Sequence, residues 1–196
     1  MIMKSIAVFC GSGSGKNGSF LNVARKLGKA LAEKDVHLVY GGAKIGLMGA
    51  VANGSLENGG TVIGVIPHFL KTKEVAHDQL SQLISVSSMH ERKVKMYELA
   101  DGFIILPGGF GTMEEFFEIL SWAQLGLHQK PIGVLNVDGY YDHLWQLFDH
   151  MLSEQLIRPS NLDMILQSTQ IEDLLERMNT YQPPATPNLV VNKENL

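Results

Sequence analysis

Short apolar runs rich in Val and Ile recur along the chain, separated by longer segments whose apolar residues repeat at helical spacing. The runs are Ile6–Cys10, His37–Tyr40, Thr61–Ile66, Leu83–Val86, Phe103–Leu106 and Ile132–Leu135, with a weaker one at Met164–Leu166. Helical patterns lie at Phe20–Glu33, Leu47–Asn58, Met89–Ala100, Met113–Leu125, Tyr141–Gln155 and Ile171–Asn179. Alternation of strand and helix predicts a parallel sheet. The first runs carry no polar alternation, as a strand buried on both faces requires. The expected architecture is therefore a single-domain α/β fold over residues 1–181: a doubly wound, Rossmann-like parallel sheet with helices on both faces. A chain of 196 residues, 45% apolar, is long enough to bury one sizeable core. From Gln182 onward Pro183, Pro184 and Pro187 break any regular pattern, so residues 182–196 are expected to form a flexible tail.

Composition narrows the function classes. Sixteen Lys plus Arg against twenty Asp plus Glu give a formal net charge of −4, which offers no polyanion-binding surface, so no nucleic-acid partner is expected. Cys10 is the single cysteine, which excludes an intrachain disulfide and any CxxC metal or redox site and suits a reducing compartment. No stretch approaches the ~20 apolar residues of a spanning helix, and the first apolar run is too short for a signal peptide. A cytoplasmic protein with no membrane partner is the expectation. The seven histidines are scattered without ligand spacing, so no metal is assigned.

In open α/β sheets ligands bind beyond the carboxyl ends of the strands, and three glycine clusters fall there. The first, Gly11 to Gly18, spells G-x-G-x-x-G through Gly13, Gly15 and Gly18. The dinucleotide reading also needs an acid at the end of strand two, which instead ends Tyr40-Gly41-Gly42. A Walker A loop fails because Lys16 is followed by Asn17. A turn into a helix and a mononucleotide-contacting loop both remain open. The second cluster, Gly41-Gly42 with Gly46-Leu47-Met48-Gly49, is uninformative alone. The third, Pro107-Gly108-Gly109-Phe110-Gly111-Thr112-Met113-Glu114-Glu115, follows an apolar strand directly and leads into a helix whose first N–H groups suit a phosphate.

Two local readings compete at this third cluster. Thr112-x-x-Glu115 has the spacing of a capping box, which would give Glu115 a purely structural task. A carboxylate beside a phosphate site is otherwise unfavourable unless it performs chemistry or binds sugar hydroxyls. Ser88-Met89-His90-Glu91 is a second capping box, followed within two turns by Arg92, Lys93 and Lys95. Cations near a helix N-terminus oppose its dipole, so Arg92 and Lys93 read either as a solvated face or as ligands of an anion.

The third cluster, preceded by Met89-His90-Glu91-Arg92-Lys93, resembles the Lonely Guy (LOG) family of cytokinin riboside 5′-monophosphate phosphoribohydrolases, often mislabelled lysine decarboxylases. The resemblance runs from Ile6 to about Asp149 and includes Cys10-Gly11-Ser12, Gly64-Val65-Ile66-Pro67 and Trp122-Ala123-Gln124-Leu125-Gly126. It implies hydrolysis of the N-glycosidic bond of an adenosine 5′-monophosphate, often N6-substituted, to free base and ribose 5-phosphate. No metal or organic cofactor is implied, and the implied assembly is a homodimer with its sites near the interface. By position, Arg92 and Glu115 match the catalytic pair. Implied substrate contacts are Glu74, Met89, Lys93, Pro107, Gly108, Gly109, Phe110, Gly111, Thr112, Met113, Glu114 and Ser121, with Lys93 and Gly109–Thr112 at the phosphate. Ser121 is turned about 120° from Glu115 on an ideal helix, so both meet one ligand only through an irregular first turn or a pocket shared between subunits. Ala43-Lys44 departs from the family's usual third glycine. The alternative function is a non-catalytic carrier of a nucleotide or phosphorylated cofactor, since related folds bind phosphate with similar loops.

Overall fold

The computed structural model describes residues 3–16, 18–71 and 76–185. Seven strands form one sheet: β1 (Ser5–Phe9), β2 (His37–Tyr40), β3 (Val62–Pro67), β4 (Gln82–Val86), β5 (Gly102–Ile105), β6 (Ile132–Leu135) and β7 (Ile165–Ser168). Their order is β4-β3-β2-β1-β5-β6-β7, every adjacent pair parallel. The helices are α1 (Ser19–Glu33), α2 (Gly46–Leu56), α3 (Met89–Leu99), α4 (Phe110–Gln124), α5 (Asp142–Ser153), the short α6 (Pro159–Leu162) and α7 (Ile171–Asn179). The expected doubly wound sheet is the one observed. The weak run near Met164 is an edge strand, and α6 was not anticipated. Residues 182–185 have no regular structure, and the remainder of the expected tail, 186–196, lies outside the described residues. Among the described residues no helix is long and apolar enough to cross a membrane.

Two cores, one on each face, explain the missing polar alternation. Ile6 and Val8 of β1 point into a core with α1, α2 and α7, while Ala7 and Phe9 point into the other, with α3, α4 and α5. In β5, Ile104 joins the first core and Phe103 and Ile105 the second. Because successive side chains alternate between faces, a strand covered on both sides must be apolar throughout. The chain winds outward from β1 to β4, then returns to place β5 on the other side of β1. That reversal opens a crevice beyond the carboxyl ends of β1 and β5.

The α1–α2 pair packs backbone to backbone. A Cβ on Gly28 would lie 2.0 Å from the Val51 carbonyl oxygen, and one on Gly54 would lie 2.0 Å from that of Arg25. Alanine gains about 1 kcal/mol over glycine in an open helix. Here overpacking against rigid backbone, about 1–3 kcal/mol or more, exceeds that gain. Gly28→Ala is therefore expected to destabilise the protein by about 2 kcal/mol in urea titration and lower the melting temperature by about 4–8 °C. A raised melting temperature would show that the helices separate at no cost.

Candidate active site

The loops after β1 and β5 are fastened together. Leu106 N–H donates to the Phe9 carbonyl at 3.0 Å, and Gly11 N–H donates to the Pro107 carbonyl at 3.0 Å. The first glycine loop also serves α2: Leu47 N–H donates to the carbonyls of Gly11 at 3.2 Å and Gly13 at 3.3 Å. A donor at the start of α2 is thus spent on the chain itself, and part of the first cluster acts as a brace between two helix starts. Ala43 is fully buried in the first core and bridges Ala76, so the Ala43-Lys44 departure falls away from the cavity walls.

The third cluster enters α4 one turn earlier than expected. Gly109 is the N-cap, with extended backbone (φ −96°, ψ −153°) and no side-chain cap, and Phe110 is the first helical residue. Thr112 therefore stands at the third helical position with its side chain buried, so close over Gly108 that a Cβ there would lie 2.1 Å from the threonine hydroxyl. Glu115 is at the sixth position, in the second turn, beyond reach of the cap. The capping-box reading of Thr112 and Glu115 is thereby corrected: local spacing matched it, but the glycine pair lets the helix begin before the threonine.

At the start of α3 the cap forms in part as expected. The Ser88 hydroxyl accepts from Glu91 N–H at 3.1 Å, while the Glu91 carboxylate accepts from the N–H of Ser87, one residue earlier than a capping box requires, and from its hydroxyl. Those bonds lower the Glu91 carboxyl below its ordinary value. One residue on, Arg92 turns inward and is buried. A Cβ on Gly41, at the end of β2, would lie 2.1 Å from Arg92 Nη2, so the bare glycine makes room for the guanidinium.

These elements enclose a cavity of about 310 Å³, floored by Val8, Cys10 and Gly11 and walled by Met48, Met89 and Met96. Arg92, Gly109, Phe110, Gly111, Thr112, Glu114 and Glu115 also line it. The amides of Phe110, Gly111 and Thr112 occupy the first turn of α4, where a helix leaves its N–H groups without intrahelical partners. Glu115 and Arg92 face each other with Oε1 and Nη2 3.9 Å apart, both about nine-tenths buried. Burial pushes the Glu115 carboxyl from 4.5 up to about 7, against the opposing pull of the Arg92 charge. Among the described residues the guanidinium is incompletely satisfied: Nη1 meets only the Met89 sulfur at 3.8 Å, and Nε is buried without a partner. A structural ion pair would close these gaps. Cys10 lies in the same cavity, but burial first and the Glu115 carboxylate second push its thiol well up, leaving it a small apolar wall and no nucleophile.

The other expected residues distribute unevenly. Lys93 points along the outside of the site and joins α3 to α4 through Glu114 at 2.5 Å and Glu118 at 2.8 Å. Burial works against its charge, but these hydrogen bonds outweigh it and hold the amine above its ordinary value. Pro107 and Gly108 form the loop behind the cavity, and Met113 packs against the second core. Ser121 is exposed on a regular α4 and is not on the cavity wall. Glu74 lies outside the described residues. Sequence reasoning passed over Gly41, Met48, Leu70 and Met96 as wall residues. For Gly41 the signal was its place at a strand's carboxyl end and for Met48 its place in the second glycine cluster; Leu70 and Met96 carry none. Among the described residues no three His, Cys, Asp or Glu side chains come together as a metal site.

A family model described as possible lysine decarboxylase matches residues 48–178. The chain is 43% identical over 180 residues to a cytokinin riboside 5′-monophosphate phosphoribohydrolase of Arabidopsis thaliana, covering 92% of this chain and 79% of that protein. It is 43% identical over 187 residues to the cytokinin riboside 5′-monophosphate phosphoribohydrolase LOG of Oryza sativa subsp. japonica, covering 95% of this chain and 77% of that one. Among solved structures, the molybdenum cofactor binding protein of Rippkaea orientalis superposes with a TM-score of 0.67 at 22% identity, over 92% of this chain and 98% of that chain, a likeness of fold alone. With the family model spanning most of the chain and these relatives aligned over nearly all of it, the chain belongs to the Lonely Guy (LOG) family.

Proposed function

We propose that this protein hydrolyses the N-glycosidic bond of adenosine 5′-monophosphates, N6-substituted ones included, releasing the free base and ribose 5-phosphate. One observation carries the reading: a buried carboxylate, Glu115, with its pKa raised to about 7, faces a buried arginine whose Nε has no partner among the described residues, beside the first turn of α4. Cleavage of an N-glycoside develops positive charge on the sugar. A desolvated carboxylate stabilises that charge and orients or deprotonates the attacking water. The first-turn amides of Gly109 to Thr112 suit the 5′-phosphate, and the unfilled donors of Arg92 suit the same anion. In this reading Lys93 acts through Glu114 and Glu118, setting the distance between α3 and α4. The description lysine decarboxylase fits the residues poorly. Among the described residues the cavity is lined by no lysine, and Lys93 is held charged, the opposite of the neutral amine that a Schiff base requires.

We further propose a cytoplasmic homodimer with its sites near the interface. Phe110, 97% exposed at the cavity rim, and the half-exposed Met89 present apolar surface beside the site. Ser121 lies on a regular helix outside the cavity, so its contact with substrate requires a second copy. Chromatography of protein incubated with AMP and with N6-isopentenyl-AMP tests the activity: free base and ribose 5-phosphate are expected. Binding without release would identify a carrier.

The gap at Gly41 offers a separate check. Gly41→Ala drives a methyl into the flexible end of Arg92, so the fold should survive while the guanidinium moves. The expected result is a fall of about 10²-fold in kcat/KM with little change in melting temperature. Unaltered kcat/KM would mean that the position of Arg92 is immaterial.

A further inference from the structure

We infer that Tyr140, outside the cavity, is a positioning residue that fixes the direction of the phosphate-facing backbone; the inference rests on the function proposed above. Three consecutive carbonyls lead into α4, and each is held by a donor from elsewhere in the fold. The buried Tyr141 hydroxyl donates to the Leu106 carbonyl at 2.7 Å, Gly11 N–H donates to that of Pro107 at 3.0 Å, and the Tyr140 hydroxyl donates to that of Gly108 at 2.5 Å. The tyrosines stand on a braced turn after β6. The Asn136 side chain accepts from Tyr141 N–H at 2.8 Å and donates to Asp142 at 2.7 Å. The Tyr140 ring also packs edge-on against Tyr141 and against Phe20 at the start of α1, which ties it to the first glycine loop.

The bond to Gly108 matters because the peptide it holds lies between two glycines. Without a Cβ on either side, the Gly108–Gly109 unit can rotate at little steric cost. In a trans peptide the carbonyl and the following N–H point in opposite directions, so anchoring the Gly108 oxygen fixes the Gly109 amide as well. Gly109 lines the cavity. A flipped peptide would offer an anion a carbonyl oxygen in place of an N–H. The Tyr140 hydroxyl therefore selects the anion-binding orientation of this loop.

Tyr140→Phe keeps both ring contacts and removes only the hydroxyl. Calorimetry with two probes that the proposed activity leaves intact, ribose 5-phosphate and adenosine, separates positioning from general disruption. The Kd for ribose 5-phosphate is expected to rise about five- to tenfold while that for adenosine stays put. With N6-isopentenyl-AMP, KM should rise more than kcat falls. A Kd for ribose 5-phosphate within about twofold of the unmutated protein, or an equal shift for both probes, overturns the role of Tyr140. Unmutated protein that binds ribose 5-phosphate but releases no base overturns the hydrolase reading alone, and the Kd ratio still decides Tyr140. Failure to bind ribose 5-phosphate at all overturns both.

Discussion

Glu115→Gln is expected to lower kcat for base release by about 10³-fold or more, with the Kd for ribose 5-phosphate nearly unchanged. Gln keeps the shape of the side chain and loses the charge that, in the proposed reaction, stabilises the sugar cation and the basicity that activates water. Near-normal turnover in the variant would remove Glu115 from the chemistry. The pH profile gives a signed check. The carboxyl titrates near 7 because it is buried, and the ionised form is the one required of a base or a nucleophile. The rate of the unmutated enzyme should therefore climb about tenfold per pH unit below 7 and level off above it. A rate that falls through pH 7 would instead make Glu115 a proton donor.

The same shift predicts a stability effect. The folded-state pKa lies above the ordinary 4.5, so the folded protein holds a proton that the unfolded chain has released. Stability from this group is fully present below about pH 4.5 and is lost as pH rises through about 7. By linkage the loss at pH 8 is of order 3 kcal/mol. Glu115→Gln, neutral at every pH, should melt higher than the unmutated protein at pH 8 and equally at pH 4.5. Such a pattern is the mark of a group retained for function at the expense of the fold.

Arg92→Ala should damage binding and rate together, with kcat/KM down by about 10³-fold or more, since in the proposed reaction one guanidinium both faces Glu115 and holds the phosphate. Removing it also removes the charge that lowers the Glu115 pKa, so the acid limb of the pH profile should move above 7. Arg92→Lys restores a positive charge without the planar fork and should recover little of the loss. An unchanged kcat/KM in Arg92→Ala, or an acid limb that stays put, would separate Arg92 from Glu115.

Much of the fold is written locally. The Val- and Ile-rich runs and the helical spacing between them depend on neighbours within a few residues, and they specify a parallel sheet covered on both faces. The third glycine cluster marks where the site falls, because it follows a strand's carboxyl end and leads directly into a helix whose first N–H groups suit an anion. Tertiary structure decided the rest. Whether Glu115 caps a helix or faces a cavity turned on Gly109, which starts α4 a turn before the threonine that spacing favours as the cap. The pairing of Lys93 with Glu114 and Glu118, more than twenty residues away along the chain, follows from no local spacing. The need for a glycine at position 41 exists only because Arg92 arrives there from another helix, and Tyr140 grips a carbonyl contributed by another strand's loop. Periodicity and propensity act over one or two turns of chain. Burial, which sets the Glu115 pKa and encloses Arg92, comes from segments that meet only after folding.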